Sequence, residues 1–334
     1  MVSTMKAAHI YLLLHVLSTV SVLVNAFDPI TTTVVIGVAA FFWGTFYHHF
    51  HENCDPRWIA YNATVLQADL ESKVIGQHVA SPIILKAVNG FMSIDNPKKS
   101  LVLFLHGPTG TGKTFVSKLI AENIYKEGMN SRFVHVFIST LHFPHSSQTN
   151  TYKSQLKQWI KGNITDCAQS MFIFDEVDKM HPDLIDSIKP YLDYYNKVDE
   201  VSYGKAIFIF LSNDGAESIT QTALDFWNAG RDRKEIELKD LETSLSVSAF
   251  NIKSGLWRSS FTENLVDFFI PFLPLEYQHV VQCARAQMKA RGLEPDQDVA
   301  DEVAGDLDYF PKFERVFSVR GCKTVESRLH FYTK

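Results

Sequence analysis

The stretch Gly107-Pro108-Thr109-Gly110-Thr111-Gly112-Lys113-Thr114 has the spacing G-x-x-x-x-G-K-[ST], and it constrains the fold more than any other part of the chain. The apolar run Leu101-Val-Leu-Phe-Leu105 leads into it, and Phe115-Val-Ser-Lys-Leu-Ile-Ala-Glu-Asn-Ile-Tyr125 leaves it with helical spacing. Strand, glycine-rich loop and helix in that order read as a phosphate-binding loop. The glycines let the backbone curl so that its N–H groups point inward, and the helix start adds the positive end of its dipole. Lys113 is then placed to reach the β- and γ-phosphates, and the Thr114 hydroxyl to ligate Mg²⁺. Phe115 completes the candidate nucleotide contacts. The competing reading, an ordinary turn, requires none of the four fixed positions, and all four are present.

Two further strand ends carry chemistry. Met171-Phe-Ile-Phe174 runs straight into Asp175-Glu176, the Walker B pattern of apolar residues followed by an acid pair. A buried strand ending this way sets both carboxylates at the phosphate edge of a sheet. Asp175 is placed for the Mg²⁺ shell and Glu176 for polarising a water as general base. Asp178 and Lys179 read as a local cap and surface charge. Lys205-Ala-Ile-Phe-Ile-Phe-Leu211 is another buried strand, followed by Ser212-Asn213. In AAA+ ATPases a polar residue here, sensor 1, orients the water near the γ-phosphate, and Asn213 suits that as donor and acceptor.

With 334 residues, 46% of them hydrophobic, the chain can bury a large core plus a small second one. Acidic and basic residues are interspersed and the net charge is -5, so nucleic acid is a poor partner. Lys6, the apolar stretch from Ile10 and the small residues Val24 and Ala26 read as a signal peptide over 1–26. A second apolar segment follows within 27–50, densest over 30–47. It is short for a span, and Phe41, Phe42, Trp43, Phe46 and Tyr47 crowd its end, which fits insertion at a membrane surface. Four cysteines, Cys54, Cys167, Cys283 and Cys322, admit three pairings, and none has zinc-like spacing. Asn62-Ala-Thr64 and Asn163-Ile-Thr165 are glycosylation sequons.

Between these landmarks, Val65 to Met92 reads as helices interrupted at Gly76 and Pro82, with Val74-Ile-Gly-Gln77 similar to an element that meets adenine in Clp-type ATPases. Phe133 to Ile138 is a buried strand. His142-Phe-Pro-His145 is a loop, and Thr149 to Lys161 a helix closed by Gly162. The run Gly230 to Glu242 is charged and reads as solvated. Asp267 to Leu275 is a last strand with a Pro-punctuated turn, Glu276 to Arg291 a helix stopped by Gly292, and Pro295 to about Asp308 another helix.

The chain after the signal peptide resembles the torsin family of AAA+ ATPases. The resemblance rests on Gly107 to Lys113, Phe115 to Tyr125, Leu141-His-Phe-Pro-His145, Phe172-Ile-Phe-Asp-Glu176, Leu192-Asp-Tyr-Tyr195, Phe208 to Asn213, Pro271-Phe-Leu-Pro-Leu-Glu-Tyr277 and, most distinctively, Gly321-Cys-Lys-Thr-Val325. It implies a lumenal protein of the endoplasmic reticulum and nuclear envelope, in peripheral or monotopic contact with the membrane through residues near 30–47. It implies Lys323 as the sensor 2 residue on the γ-phosphate, and the pairs Cys283–Cys322 and Cys54–Cys167, with nucleotide sensing open to redox control. It also implies activation by membrane-bound partners of the lamina-associated polypeptide 1 type, whose lumenal domains supply an arginine finger; a homo-oligomer or mixed ring is compatible with the pattern. The chain's own candidates, Arg231, Arg233 and Arg258, sit in no finger motif. Two departures stand out. Thr114 replaces the Asn common in such torsins, which favours ordinary Mg²⁺ binding, and Asn150-Thr-Tyr152 lacks the sequon often found there.

The expected fold is therefore α/β: a P-loop AAA+ αβα sandwich with a parallel sheet over 51–275 and a small C-terminal helical lid over 276–334. The expected reaction is hydrolysis of ATP with Mg²⁺. A nucleotide-gated scaffold with negligible turnover is the competing class. A threading unfoldase is weaker, since no aromatic–apolar–Gly pore loop follows the second strand.

Overall fold

The computed structural model describes residues 51–195, 197–242 and 265–332. The expected signal peptide, the apolar segment over 27–50 and Arg258 lie outside the described residues. Cys54 to Lys334 forms one compact unit. Among the described residues no helix is long and apolar enough to cross a membrane.

Five parallel strands form the central sheet in the order β2-β3-β4-β1-β5: β1 (Leu101–His106), β2 (Val134–Ile138), β3 (Met171–Asp175), β4 (Ile207–Ser212) and β5 (Phe268–Pro271). Strands β1 and β4 are buried at every position, as strands covered on both faces must be. Their side chains alternate between two cores. On one face Phe172 stacks on Phe208 and Phe174 on Phe210 across strands, at 5.0 and 5.2 Å between ring centres, with Phe104 in the same core. Leu103, Leu105, Ile173, Ile209 and Leu211 fill the other.

Helices of eight or more residues cover both faces: α1 (Ala63–Lys73), α2 (Ala80–Met92), α3 (Lys113–Ile124), α4 (Thr149–Asp166) and α5 (Ala216–Asn228). Helix α1 starts where the Asn62 side chain accepts from the backbone N–H of Thr64 and Val65. Two helix readings are corrected. Pro82 does not interrupt α2, because it sits in the first turn, where its missing N–H has no intrahelical acceptor to lose. Gly162 does not close α4, which runs on to Asp166 because Ile160 and Ile164 are buried on either side of it. Burying those two side chains outweighs the ~1 kcal/mol that a helical glycine costs.

C-terminal to β5 come α6 (Tyr277–Ala290), α7 (Gln297–Gly305) and α8 (Val325–Tyr332), with a small antiparallel pair β6 (Tyr309–Phe310) and β7 (Phe317–Ser318). They share their own core of Val280, Ala284, Met288, Ala300, Val303, Ala304 and Leu329. Both disulfides are formed, Cys54–Cys167 with Cα atoms 5.4 Å apart and Cys283–Cys322 with Cα atoms 6.1 Å apart. The second ties the segment before α8 to α6.

Candidate functional site

The C-terminal ends of β1, β3 and β4 open onto one edge of the sheet, where parallel sheets place their ligands. The glycine-rich loop leaves β1 with Gly107, Gly110 and Gly112 at φ of 130°, 72° and 106°. A side chain at Gly107 would strike the Phe272 carbonyl, and one at Gly110 would strike the Arg320 carbonyl. Glycine is thus required at both places by backbone angle and by space. Thr111 is buried and its hydroxyl donates to the Pro108 carbonyl at 2.8 Å, while Thr109 and Phe115 face outward.

Lys113 is 8% exposed. Its Nζ donates to the Gly107 and Pro108 carbonyls, both at 2.7 Å, and to Asn213 Oδ1 at 3.2 Å. Burial pushes its pKa down to about 8; Asp175 and Asp178 pull the other way, and Lys323 adds to the lowering. Lys323 itself is exposed, on the turn whose Cys322 N–H donates to the Gly110 carbonyl at 3.0 Å. The candidate sensor residues from β4 and from the C-terminus thus converge on the phosphate loop.

The Thr114 hydroxyl donates to Asp175 Oδ2 at 3.2 Å, so two hard oxygen donors from different elements stand side by side. That pair suits Mg²⁺, and the glycine cradle with its lysine suits a polyphosphate. Glu176 has a left-handed backbone, φ 57°, and its N–H donates to Asp175 Oδ1 at 2.8 Å. This places consecutive carboxylates on different bearings from one strand end.

The contacts of four side chains escaped the sequence reading. Thr140, just past β2, donates its hydroxyl to Glu176 Oε2, while Ser139 Oγ donates to the Asp175 carbonyl at 2.9 Å. Two hydroxyls at the end of the strand beside Walker B are the signal that could have flagged them. Asp178 is not a local cap: its side chain is 9% exposed, and Oδ1 accepts from Asn213 N at 3.2 Å. Gln77, 2% exposed, donates to the Thr111 and Leu273 carbonyls at 3.1 and 2.9 Å and accepts from Leu273 N at 2.8 Å. It thereby fastens the Ile75-Gly76 segment to the phosphate loop.

Arg233 corrects the reading of Gly230 to Glu242 as solvated. Its side chain is 9% exposed, Nη2 donates to the Gly76 carbonyl at 2.8 Å, and Glu276 lies 3.7 Å from Nη1. Held there, it cannot project toward another molecule. Arg231 stacks on Phe226 at 3.9 Å and pairs with Glu235 at 2.9 Å. Of the sequons, Asn62 is exposed at the start of α1, whereas Asn163 lies within α4 with its Nδ2 donating to the Trp159 carbonyl at 2.7 Å.

Comparison with known proteins agrees with this architecture. The family model described as Torsin matches residues 48–174, and that described as Torsin-1A, C-terminal domain, matches residues 275–332; together they span more than half of the chain. Among solved structures, the S. cerevisiae Hsp104-ADP complex matches with TM-score 0.57 at 17% identity, over 80% of this chain and 46% of that one. A closed-state reconstruction of Hsp104 with ATPγS and FITC casein matches with TM-score 0.56 at 17% identity, over 81% of this chain and 46% of that one. The chain spans less than half the length of these structures, and the likeness at that identity is one of fold.

Proposed function

The chain belongs to the torsin family of AAA+ proteins, and on that footing we propose that it is a Mg²⁺-dependent ATPase that remodels proteins or membranes. One observation carries this reading: Lys113, Thr114, Asp175, Glu176 and Asn213 meet at the C-terminal edge of β1, β3 and β4. In it, Lys113 and Lys323 neutralise the phosphates, Thr114 and Asp175 hold Mg²⁺, Asn213 orients the water and Glu176 takes its proton. Held by Thr114 and Asp175, Mg²⁺ would supply neutralisation of the phosphate charge.

The location is the lumen of the endoplasmic reticulum and the nuclear envelope, with residues 27–50 at the membrane surface. An arginine from the lumenal domain of a lamina-associated polypeptide 1 type partner completes the site. The engagement of Arg231 and Arg233 within their own chain supports an outside source, and it also favours the second reading, a nucleotide-gated scaffold when the chain is alone. The deciding measurement is ATP binding and phosphate release by wild type and Glu176→Gln, with and without that lumenal domain. The amide keeps the shape and removes the base, so the variant should bind ATP and not hydrolyse it. Hydrolysis by the variant at the wild-type rate would sink the assignment of Glu176 as the base, and no wild-type release even with the partner would leave the scaffold.

A further inference from the structure

Strand β4 ends at Ser212, the last residue in register with β1 through His106. Asn213 has already left the ladder, and its N–H needs an acceptor from elsewhere. Asp178 provides it from the turn after β3, with Oδ1 at 3.2 Å. A carboxylate accepting from a backbone N–H makes one of the stronger hydrogen bonds available. The other oxygen, Oδ2, lies 3.0 Å from Lys179 Nζ, on a side chain that is 61% exposed. The next amide, Asp214 N, is held by the hydroxyl of Ser212 at 3.0 Å, so this turn is pinned at two successive N–H groups. From the backbone fixed in this way, the Asn213 side chain reaches across to Lys113 Nζ at 3.2 Å.

We infer that Asp178 is a positioning residue for Asn213, joining the Walker B turn to sensor 1 and, through Asn213, to the phosphate-loop lysine. The inference rests on the ATPase reading of this site. Asp178 touches neither phosphate nor water in it; it fixes the main chain that aims Asn213. Without that anchor Asn213 is free to swing, and a displacement of ~1 Å at a positioning group costs on the order of 100-fold in rate. Binding should be spared, because Lys113, Thr114 and the glycine cradle keep their own contacts.

The test uses the full chain with Asp178→Ala, Asp178→Asn, Asn213→Ala, the double variant Asp178→Ala/Asn213→Ala, and Lys179→Ala as control. Hydrogen exchange at the Asn213 amide is measured without nucleotide, then Mg²⁺-ATP affinity and single-turnover hydrolysis. Asp178→Ala should speed exchange of that amide by about tenfold or more, the range opened by one charged hydrogen bond. It should leave ATP affinity within about threefold and slow the chemical step by about 10- to 100-fold. Asp178→Asn keeps an acceptor in place and should restore most of the rate. Lys179→Ala should match wild type, and the double variant should be no slower than Asn213→Ala alone. Unchanged amide exchange in Asp178→Ala overturns the proposal, as does a double variant whose losses multiply. No phosphate release by the wild type, even with the partner's lumenal domain, would refute the ATPase reading instead, while the exchange result would still decide whether Asp178 holds the Asn213 backbone.

Discussion

Gly110 of the phosphate loop and Gly321 of the C-terminal turn meet backbone to backbone, so closely that a Cβ on either would run into the other's segment. Gly321 also has a left-handed backbone, φ 51°. Gly321→Ala should therefore lose both the angle and the contact, at about 1–2 kcal/mol for the angle alone. We expect ATP and ADP affinity to fall together by about tenfold, measured by calorimetric titration, with the fold retained. Unchanged affinities would mean that the turn does not bear on the loop.

The Cys283–Cys322 bridge bears on the same contact, because Cys322 N–H donates to the Gly110 carbonyl at 3.0 Å and the next residue is Lys323. Reduction should change the ratio of ATP to ADP affinity, and Cys322→Ser should remove that response while the domain stays folded. Equal preference in oxidising and reducing buffer would leave the bridge as a staple. Its closed loop of 39 residues is then worth ~4 kcal/mol in the chain-entropy picture.

Arg233 is a buried cation with Nε and Nη1 making no hydrogen bond. Burial lowers its pKa to about 10, against the pull of Glu276. Arg233→Ala should destabilise by about 2–4 kcal/mol in urea, since it strands the Gly76 carbonyl and the Glu276 charge and leaves a cavity. Arg233→Met, which fills the space, should cost less. Equal losses would show that packing contributes little there.

Three buried histidines set the acid limit of stability. Burial pushes His106 down to about 3, with Lys113 adding to it, and pushes His135 and His279 down to about 4. The unfolded chain takes up these protons near 6.5 while the folded chain does not. Stability is therefore complete above about pH 6.5 and falls as pH drops from there toward 4. His135 stands 4.5 Å from Trp159 and 5.2 Å from Phe172, ring centre to ring centre. His135→Phe should keep that stack and lower the pH slope of the urea midpoint by about one proton. An unaltered slope between pH 7.5 and 5 would assign the acid loss to other groups.

The elements with a local signature were legible in the sequence. Leu101 to Thr114 encodes strand, loop and helix start in adjacent residues, and Met171 to Glu176 encodes a strand and its acid pair. Asn213 followed from its place at a strand end. What escaped was set by partners far along the chain. Arg233 looks solvated until the Gly76 carbonyl, 157 residues away, is brought to it. Gln77 bonds Leu273 across 196 residues, and Asp178 bonds Asn213 across 35. Gly162 misled for another reason: propensity marks it as a stop, but Ile160 and Ile164 bury enough surface to carry the helix through.

The two disulfides pair cysteines that are consecutive in the sequence, Cys54 with Cys167 and Cys283 with Cys322. A chain emerging from its N-terminal side presents them in that same order. Where thiols are oxidised as they appear, the first partner available to each odd-numbered cysteine in the series is the native one. Cys54 must wait for 113 residues, ~6–23 s at ordinary rates of synthesis, whereas Cys283 waits for 39, ~2–8 s. Of the three connectivities that four cysteines permit, this one forms without any bond having to be broken and remade, so vectorial synthesis can do work otherwise left to an isomerase.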